Sequence, residues 1–358
     1  MSAPTQGMGA FDAAGVPWSR PMTGRWEEAL IDSTALAGNP LGDPHVRPVL
    51  VYLPPGYGDD PDLRYPVVYF LQGLTGQVDM WRNRRAMSPN FLERVDALFA
   101  SGDAPPTMVV LVDGWTSWGG AQYLDSPAVG RYQTYLSSDV VAFVDGRYRT
   151  LDAPASRAVA GHSSGGYGAL VSGLLHPEVW GSVASHAGDA LFEVCYLPGF
   201  RDTARVLATR YEGSWDRWRA EVRTRGLLSD DADFDLLNDW CMAACYSADE
   251  DGTVHVPFEP ATGQMRPEVW ARWLHWDPVR MIARSADAAR SWTSVWLDAG
   301  TRDEMFLDRG CVAVHEALAD AGVTEPTVRF ELHGGGHRNQ EGRFLLSLAW
   351  LSGRMAAG

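Results

Sequence analysis

The sequence predicts an α/β fold in which a mostly parallel sheet carries helices on both faces and a helical, tryptophan-rich insertion breaks the alternation. Three observations predict it. Near-continuous apolar runs recur along the 358 residues, helical patterns fall between them, and one long interval lacks any buried-strand pattern.

The runs are VRPVLVYLPPGY (46–57), YPVVYFLQG (65–73), TMVVLVDG (107–114), ASRAVAGH (155–162), GSVASHAG (181–188), TSVWLDAG (293–300) and TVRFELHGG (327–335). Strands covered on both faces lose the apolar/polar alternation and read in this way. Helical patterns occupy 134–147, 164–176, 304–321 and 340–353. Strands alternating with helices make a parallel sheet, and the short loops joining the first strands predict an antiparallel edge. Residues 1–24 read as an N-terminal arm, and 25–189 with 293–358 as the core. Residues 190–292 read as an insertion within the same domain, holding seven of the fifteen tryptophans. An insertion leaving a strand's carboxyl end can roof a site, because ligands in such sheets bind there.

Composition narrows the function. Hydrophobic residues make up 46 % and charged residues 21 %, a globular balance. Thirty Lys plus Arg against forty-five Asp plus Glu give a net charge of −15, and every one of the thirty is arginine. That surface disfavours nucleic acid and anionic membrane as partners, and the lack of lysine excludes Schiff-base and P-loop chemistry. Cys195, Cys241, Cys245 and Cys311 are too few for a disulfide framework. Cys241 and Cys245 fall one helical turn apart without further ligands at useful spacing, so neither a metal nor another cofactor is expected. The first residues lack a basic start followed by an apolar run, and no stretch approaches the ~18 apolar residues of a membrane span. The expectation is a cytoplasmic protein.

The sharpest signal is GHSSGGYGAL (161–170), where a strand pattern ends and a helical one begins. It fits G-x-S-x-G with Ser163 in the centre, the turn that lifts a serine hydroxyl clear of a sheet. A serine hydroxyl needs a base, and the base an orienting acid, in the chain order Ser, Asp, His. Asp303 follows the strand pattern 293–300, and His337 lies in the glycine-rich loop after 327–335. Asp298 and His333 lie within strands, Asp308 falls inside a helix, His162 points elsewhere on the turn, and His186 is core or supports the site. Donors for an oxyanion are expected from the backbone N–H groups of Ser164 and of Leu74, in the loop after an early strand. The aromatics Trp115, Trp118 and Tyr123, with Trp240 of the insertion, are candidate substrate contacts.

With YFLQGLTGQVDMW, VDGWTSWGGAQYLDSPAVGRYQTYLSSDVVAFVDGRYR, GHSSGGYGAL, LDAGTRDEMF and GGGHRN in order, the chain resembles the esterase D branch of the α/β-hydrolases. That branch includes S-formylglutathione hydrolases, feruloyl and enterochelin esterases, and mycobacterial mycolyltransferase antigens. The likeness covers about residues 25–190 and 290–353. It implies an α/β-hydrolase fold, Ser163 as nucleophile, Asp303 and His337 as its partners, and the amides of Leu74 and Ser164 as oxyanion hole. Thr75 and Gly76 stand where S-formylglutathione hydrolases typically carry a cysteine, and the insertion is longer than the esterases usually have. The expected function is serine ester hydrolysis on a small ester or thioester. Acyl transfer from the same acyl-enzyme is an alternative, and a non-catalytic binding protein of the same fold a second.

Overall fold

The computed structural model describes residues 21–85, 88–230 and 232–355. Most of the expected arm, residues 1–20, lies outside them. Among the described residues there are ten strands: β1 (Arg25–Asp32), β2 (Val46–Leu53), β3 (Val67–Leu71), β4 (Met108–Val112), β5 (Asp125–Ser126), β6 (Gly130–Arg131), β7 (Arg157–His162), β8 (Ser182–His186), β9 (Ser294–Gly300) and β10 (Val328–His333). Eight of them form one sheet in the order β1-β2-β4-β3-β7-β8-β9-β10, and β5 pairs with β6 in a separate hairpin. From β4 to β10 every pairing is parallel, while β1–β2 and β2–β4 are antiparallel. All seven expected strands are present, as is the antiparallel edge.

The apolar runs follow from burial on both faces. Val67, Tyr69 and Leu71 of β3 point into one core while Val68 and Phe70 point into another, and β4 divides in the same way. The period-2 side-chain alternation of a strand therefore feeds two cores at once. The helices Phe91–Ala100 and Glu341–Arg354 cover one face. The other face carries Ser164–Leu175, Leu307–Asp320 and the helices from 192 to 290.

Strand β1 and the helix Phe91–Ala100 are among the elements not anticipated. Strand β1 is an edge strand with Leu30 63 % exposed and Arg25, Glu27 and Glu28 along it, so its sequence lacks a buried-strand pattern. Charged residues on an edge keep it from pairing with other chains. The helix Phe91–Ala100 starts with a capping box, in which Asn90 accepts from the Glu93 N–H and Glu93 from the Asn90 N–H.

Between β8 and β9 the chain forms helices, the longest being Phe200–Tyr211, Trp215–Arg225 and Asp233–Tyr246. Their tryptophans pack on one another: the ring centroids of Trp215 and Trp240 are 5.3 Å apart, and those of Phe200 and Trp273 also 5.3 Å. A buried carboxylate ties the beginning of this region to its end. Asp277 accepts from the N–H groups of Leu191, Phe192 and Val279, each at 3.1 Å, and pairs with Arg280 at 2.8 Å.

Trp273 is fully buried, and its Nε1–H donates to Ser247 Oγ at 2.9 Å. Trp273→Ala is expected to destabilise the protein by about 3–5 kcal/mol in urea unfolding. A loss under about 1 kcal/mol, the size of an ordinary surface change, would show that these helices do not share the main core.

Candidate active site

The turn at Ser163 is built by two close approaches. A Cβ on Gly161 would stand 2.3 Å from the Gly165 carbonyl oxygen, and one on Gly165 would stand 2.3 Å from that of Leu71. Only glycine lets the helix Ser164–Leu175 begin so near β3 and β7. Between them Ser163 takes φ +57 and ψ −128, a left-handed conformation that non-glycine residues rarely adopt. Such strain costs on the order of 1–3 kcal/mol and is retained where the surroundings hold it. Here the Ser163 N–H donates to the His186 carbonyl at 3.0 Å.

The sheet brings the partners to the same place. β9 and β10 are parallel neighbours with Gly300 opposite His333, so the loops that follow them leave from one end. These loops are joined by bonds from Thr301 N–H to His333 O, 2.7 Å, and from Arg302 N–H to Gly335 O, 3.0 Å. His337 Nε2 lies 3.1 Å from Ser163 Oγ, and its Nδ1 lies 2.8 Å from Asp303 Oδ2. An ionised carboxylate only accepts, so Nδ1 carries the proton and Nε2 is free to accept from the serine hydroxyl. Burial raises the Asp303 carboxyl, but the hydrogen bond and charge of His337 and the N–H groups of Met305 and Leu307 prevail and hold it below its ordinary value.

Ser163, His337, Leu74 and Ser164 line one cavity of about 650 Å³. Ser164 is the first residue of its helix, where backbone N–H groups have no partner within the helix. The Leu74 loop is fixed from behind: Thr75 N–H donates to Gly119 O at 2.8 Å, and Gln72 Nε2 to Gly76 O at 2.6 Å. The competing acids and bases lie elsewhere. Asp298 and His186 are sealed in a core network, in which His186 bonds Asp298 at 2.7 Å and Ser347 Oγ at 2.8 Å. His333 Nδ1 accepts from Gly335 N–H, and Asp308 is buried beside Arg309.

The four aromatics expected to meet substrate do not line this cavity. The Tyr123 hydroxyl donates to Gln72 O at 2.8 Å, and its ring lies against Gly168, so it braces the Leu74 loop and the helix start. The Trp115 carbonyl accepts from Arg47 and from the Tyr132 hydroxyl. Trp118 and Trp240 line a separate cavity of about 500 Å³ with Arg219 and Arg223. For the first three the reason is the course of the 114–123 loop, which packs against the Leu74 loop through Gly119. Trp240 lies on the helix Asp233–Tyr246, whose Asn238 and Asp239 line the Ser163 cavity in its place.

Sequence reasoning missed two contributors. Asp189, just past β8, is buried and accepts from Gln122 at 3.0 Å, Tyr196 at 2.8 Å and Ser164 Oγ at 3.2 Å. Burial raises its carboxyl in spite of these bonds. The second is His162. Its Nε2 lies 2.9 Å from the His337 carbonyl, and the two rings lie tilted to one another with centroids 4.5 Å apart. Burial first, then the nearby charges of His337 and His186, bring its pKa down to about 3. A neutral ring donates one N–H to that carbonyl and holds the backbone of His337. Glu304 holds the other side, accepting from the His337 N–H at 2.8 Å.

His162→Phe keeps a ring but removes the donor. It is expected to lower kcat about 10-fold with KM within about a factor of two, as for a misplaced base. A pH signature accompanies it. The unfolded chain binds a proton at His162 below about 6.5 and the folded one only near 3, so this group contributes stability above that window and loses it as the pH falls through it. Wild-type Tm should therefore fall more steeply than that of His162→Phe between these values, and parallel curves would reject the assignment.

A family model described as "Putative esterase" matches residues 44–343. A curated relative, an uncharacterised protein of Corynebacterium glutamicum, is 32 % identical over 142 residues, which are 40 % of this chain and 32 % of that protein. The match thus spans about a third of the relative's length. Among solved structures, a ferulic acid esterase superposes with a TM-score of 0.60 at 18 % identity, over 94 % of this chain and all of its own. A fluorophosphonate-binding serine hydrolase of Staphylococcus aureus gives 0.56 at 14 %, over 92 % of this chain and 98 % of its own. An S-formylglutathione hydrolase from Agrobacterium tumefaciens gives 0.52 at 17 %, over 94 % and 98 %. At these identities the likeness is one of fold, that of the α/β-hydrolases. With the family model matched over most of its length, the chain belongs to this esterase family.

Proposed function

We propose that the protein is a serine carboxylic-ester hydrolase working through an acyl-enzyme on a small ester or thioester. The observation that carries this reading is the chain of contacts Ser163–His337–Asp303, 3.1 and 2.8 Å, opening into a cavity at the strained turn. His337 Nε2 takes the hydroxyl proton as Ser163 Oγ attacks the carbonyl carbon. Asp303 stabilises the imidazolium that forms. The developing oxyanion is held by the N–H groups of Leu74 and Ser164. As the tetrahedral centre collapses, His337 returns the proton to the leaving alcohol or thiol, and the acyl group stays on Ser163. Water then attacks with the same base, and the acid is released. The names of the similar structures, ferulic acid esterase and S-formylglutathione hydrolase, support the substrate class.

Ser163→Ala should lower hydrolysis of p-nitrophenyl acetate by on the order of 10⁶-fold and abolish labelling by a fluorophosphonate. A second serine that still labels in the folded variant would refute the assignment. Asp303→Asn keeps the shape but removes the charge that orients the imidazole, and kcat should drop by about 10⁴-fold. An unchanged kcat would remove Asp303 from the mechanism.

A further inference from the structure

The wall of the Ser163 cavity is acidic, with Asp189, Asp202, Asp235, Asp239 and Glu304 facing Arg201 and Arg338. Two of these carboxylates are already occupied: Asp189 by its three donors and Glu304 by the His337 N–H. Asp202 lies at the exposed rim near Arg201 and Arg205, 3.7 and 3.9 Å away. Asp239 differs from all of these. It is only 4 % exposed, its Oδ2 has no hydrogen-bond partner, and its Oδ1 receives a single long bond of 3.4 Å from Asn238. Thr203, 1 % exposed on the neighbouring helix Phe200–Tyr211, also lines the cavity, and its Oγ1 likewise lacks a partner.

A buried carboxylate with one oxygen unpartnered and the other held by a single long bond is costly to keep ionised, and native proteins seldom leave such an atom unmet. The occupant can be chosen on charge. An anion would meet repulsion from Asp202, Asp235 and Asp239 together. A neutral hydroxyl can pair with the protonated carboxyl but leaves the ionised form uncompensated in a medium of low dielectric. One carboxylate and one hydroxyl are too few ligands for a metal ion. A protonated amine supplies N–H donors to both oxygens and neutralises the charge. The same cavity is also lined by Val194, Pro198 and Phe234, which suit an alkyl chain.

We propose that the substrate is an ester bearing a protonated amine on its acyl or alcohol part, with the amine seated on Asp239 and Thr203. This rests on the esterase reading above. Burial raises the Asp239 carboxyl to about 7 against the smaller opposing effects of Thr203 and Asn238. A bound cation restores its ionised form.

Matched pairs test the site: p-nitrophenyl 6-aminohexanoate against p-nitrophenyl heptanoate for the acyl side, and 6-aminohexyl acetate against heptyl acetate for the alcohol side. One aminated ester should exceed its neutral partner about 10-fold in kcat/KM, through KM, a difference of about 1.4 kcal/mol. Asp239→Asn should bring that ratio to within about two-fold, and Thr203→Val should reduce it, as expected when a buried charge pair loses a partner. Equal kcat/KM within both pairs, or a preference that survives Asp239→Asn, overturns the proposal. Calorimetry of hexylamine and hexanol on Ser163→Ala reads the same site without turnover. Hexylamine bound selectively and lost in the Ser163→Ala, Asp239→Asn double variant, in a protein that cleaves no ester, would leave the amine site standing and remove only the esterase reading. No selective binding of hexylamine removes the site.

Discussion

The structure depends on one steric constraint, the contact of the helix Ser164–Leu175 with the carbonyl edge of β3. Gly161 and Gly165 have no side chain because backbone oxygens occupy the space a Cβ would need. That contact lets the helix start at once after β7, forces Ser163 into its left-handed conformation, and leaves the hydroxyl at the carboxyl end of the central strands. The loops after β3, β8, β9 and β10 reach the same end because those strands run parallel to β7. A chain of local requirements thus converges on one place, although positions 163 and 337 are remote in sequence.

This explains which parts could be read beforehand. Strands covered on both faces announce themselves by unbroken apolar runs, and the glycines around Ser163 mark a turn that few other arrangements require. Asp303 and His337 were readable because each follows a strand and lies in a turn-rich loop. The aromatics were not, since a tryptophan in a core and one in a pocket have the same local sequence. Trp118 and Trp240 line a different cavity from Ser163, a fact of tertiary packing alone. Strand β1 escaped because an edge strand exposes residues such as Leu30 and carries charge. His162 was discounted from the geometry of the turn, yet the loop after β10 brings the His337 carbonyl to its ring.

The same packing determines how charge is used. Buried carboxylates here mostly act by accepting backbone or side-chain donors, as Asp277 does where the helical region leaves and rejoins the sheet. Asp298 is held well below the ordinary carboxylate range, because His186, Trp296 and Arg343 together outweigh its burial. With arginine as the sole basic residue besides histidine, planar multi-donor pairing recurs through the fold. Arg47 bonds Asp113 at 2.7 Å, and Arg225 bonds Asp233 at 2.6 Å.

The network of Ser347, His186 and Asp298 contains the same trio of side-chain types as Ser163, His337 and Asp303, at comparable separations, yet it is shut inside the protein. A distance template for a hydrolase would therefore hit twice in this molecule. What separates the hits is whether a carbonyl carbon can reach the hydroxyl, and the interior trio, with no room for one, serves as mortar between the terminal helix and the sheet.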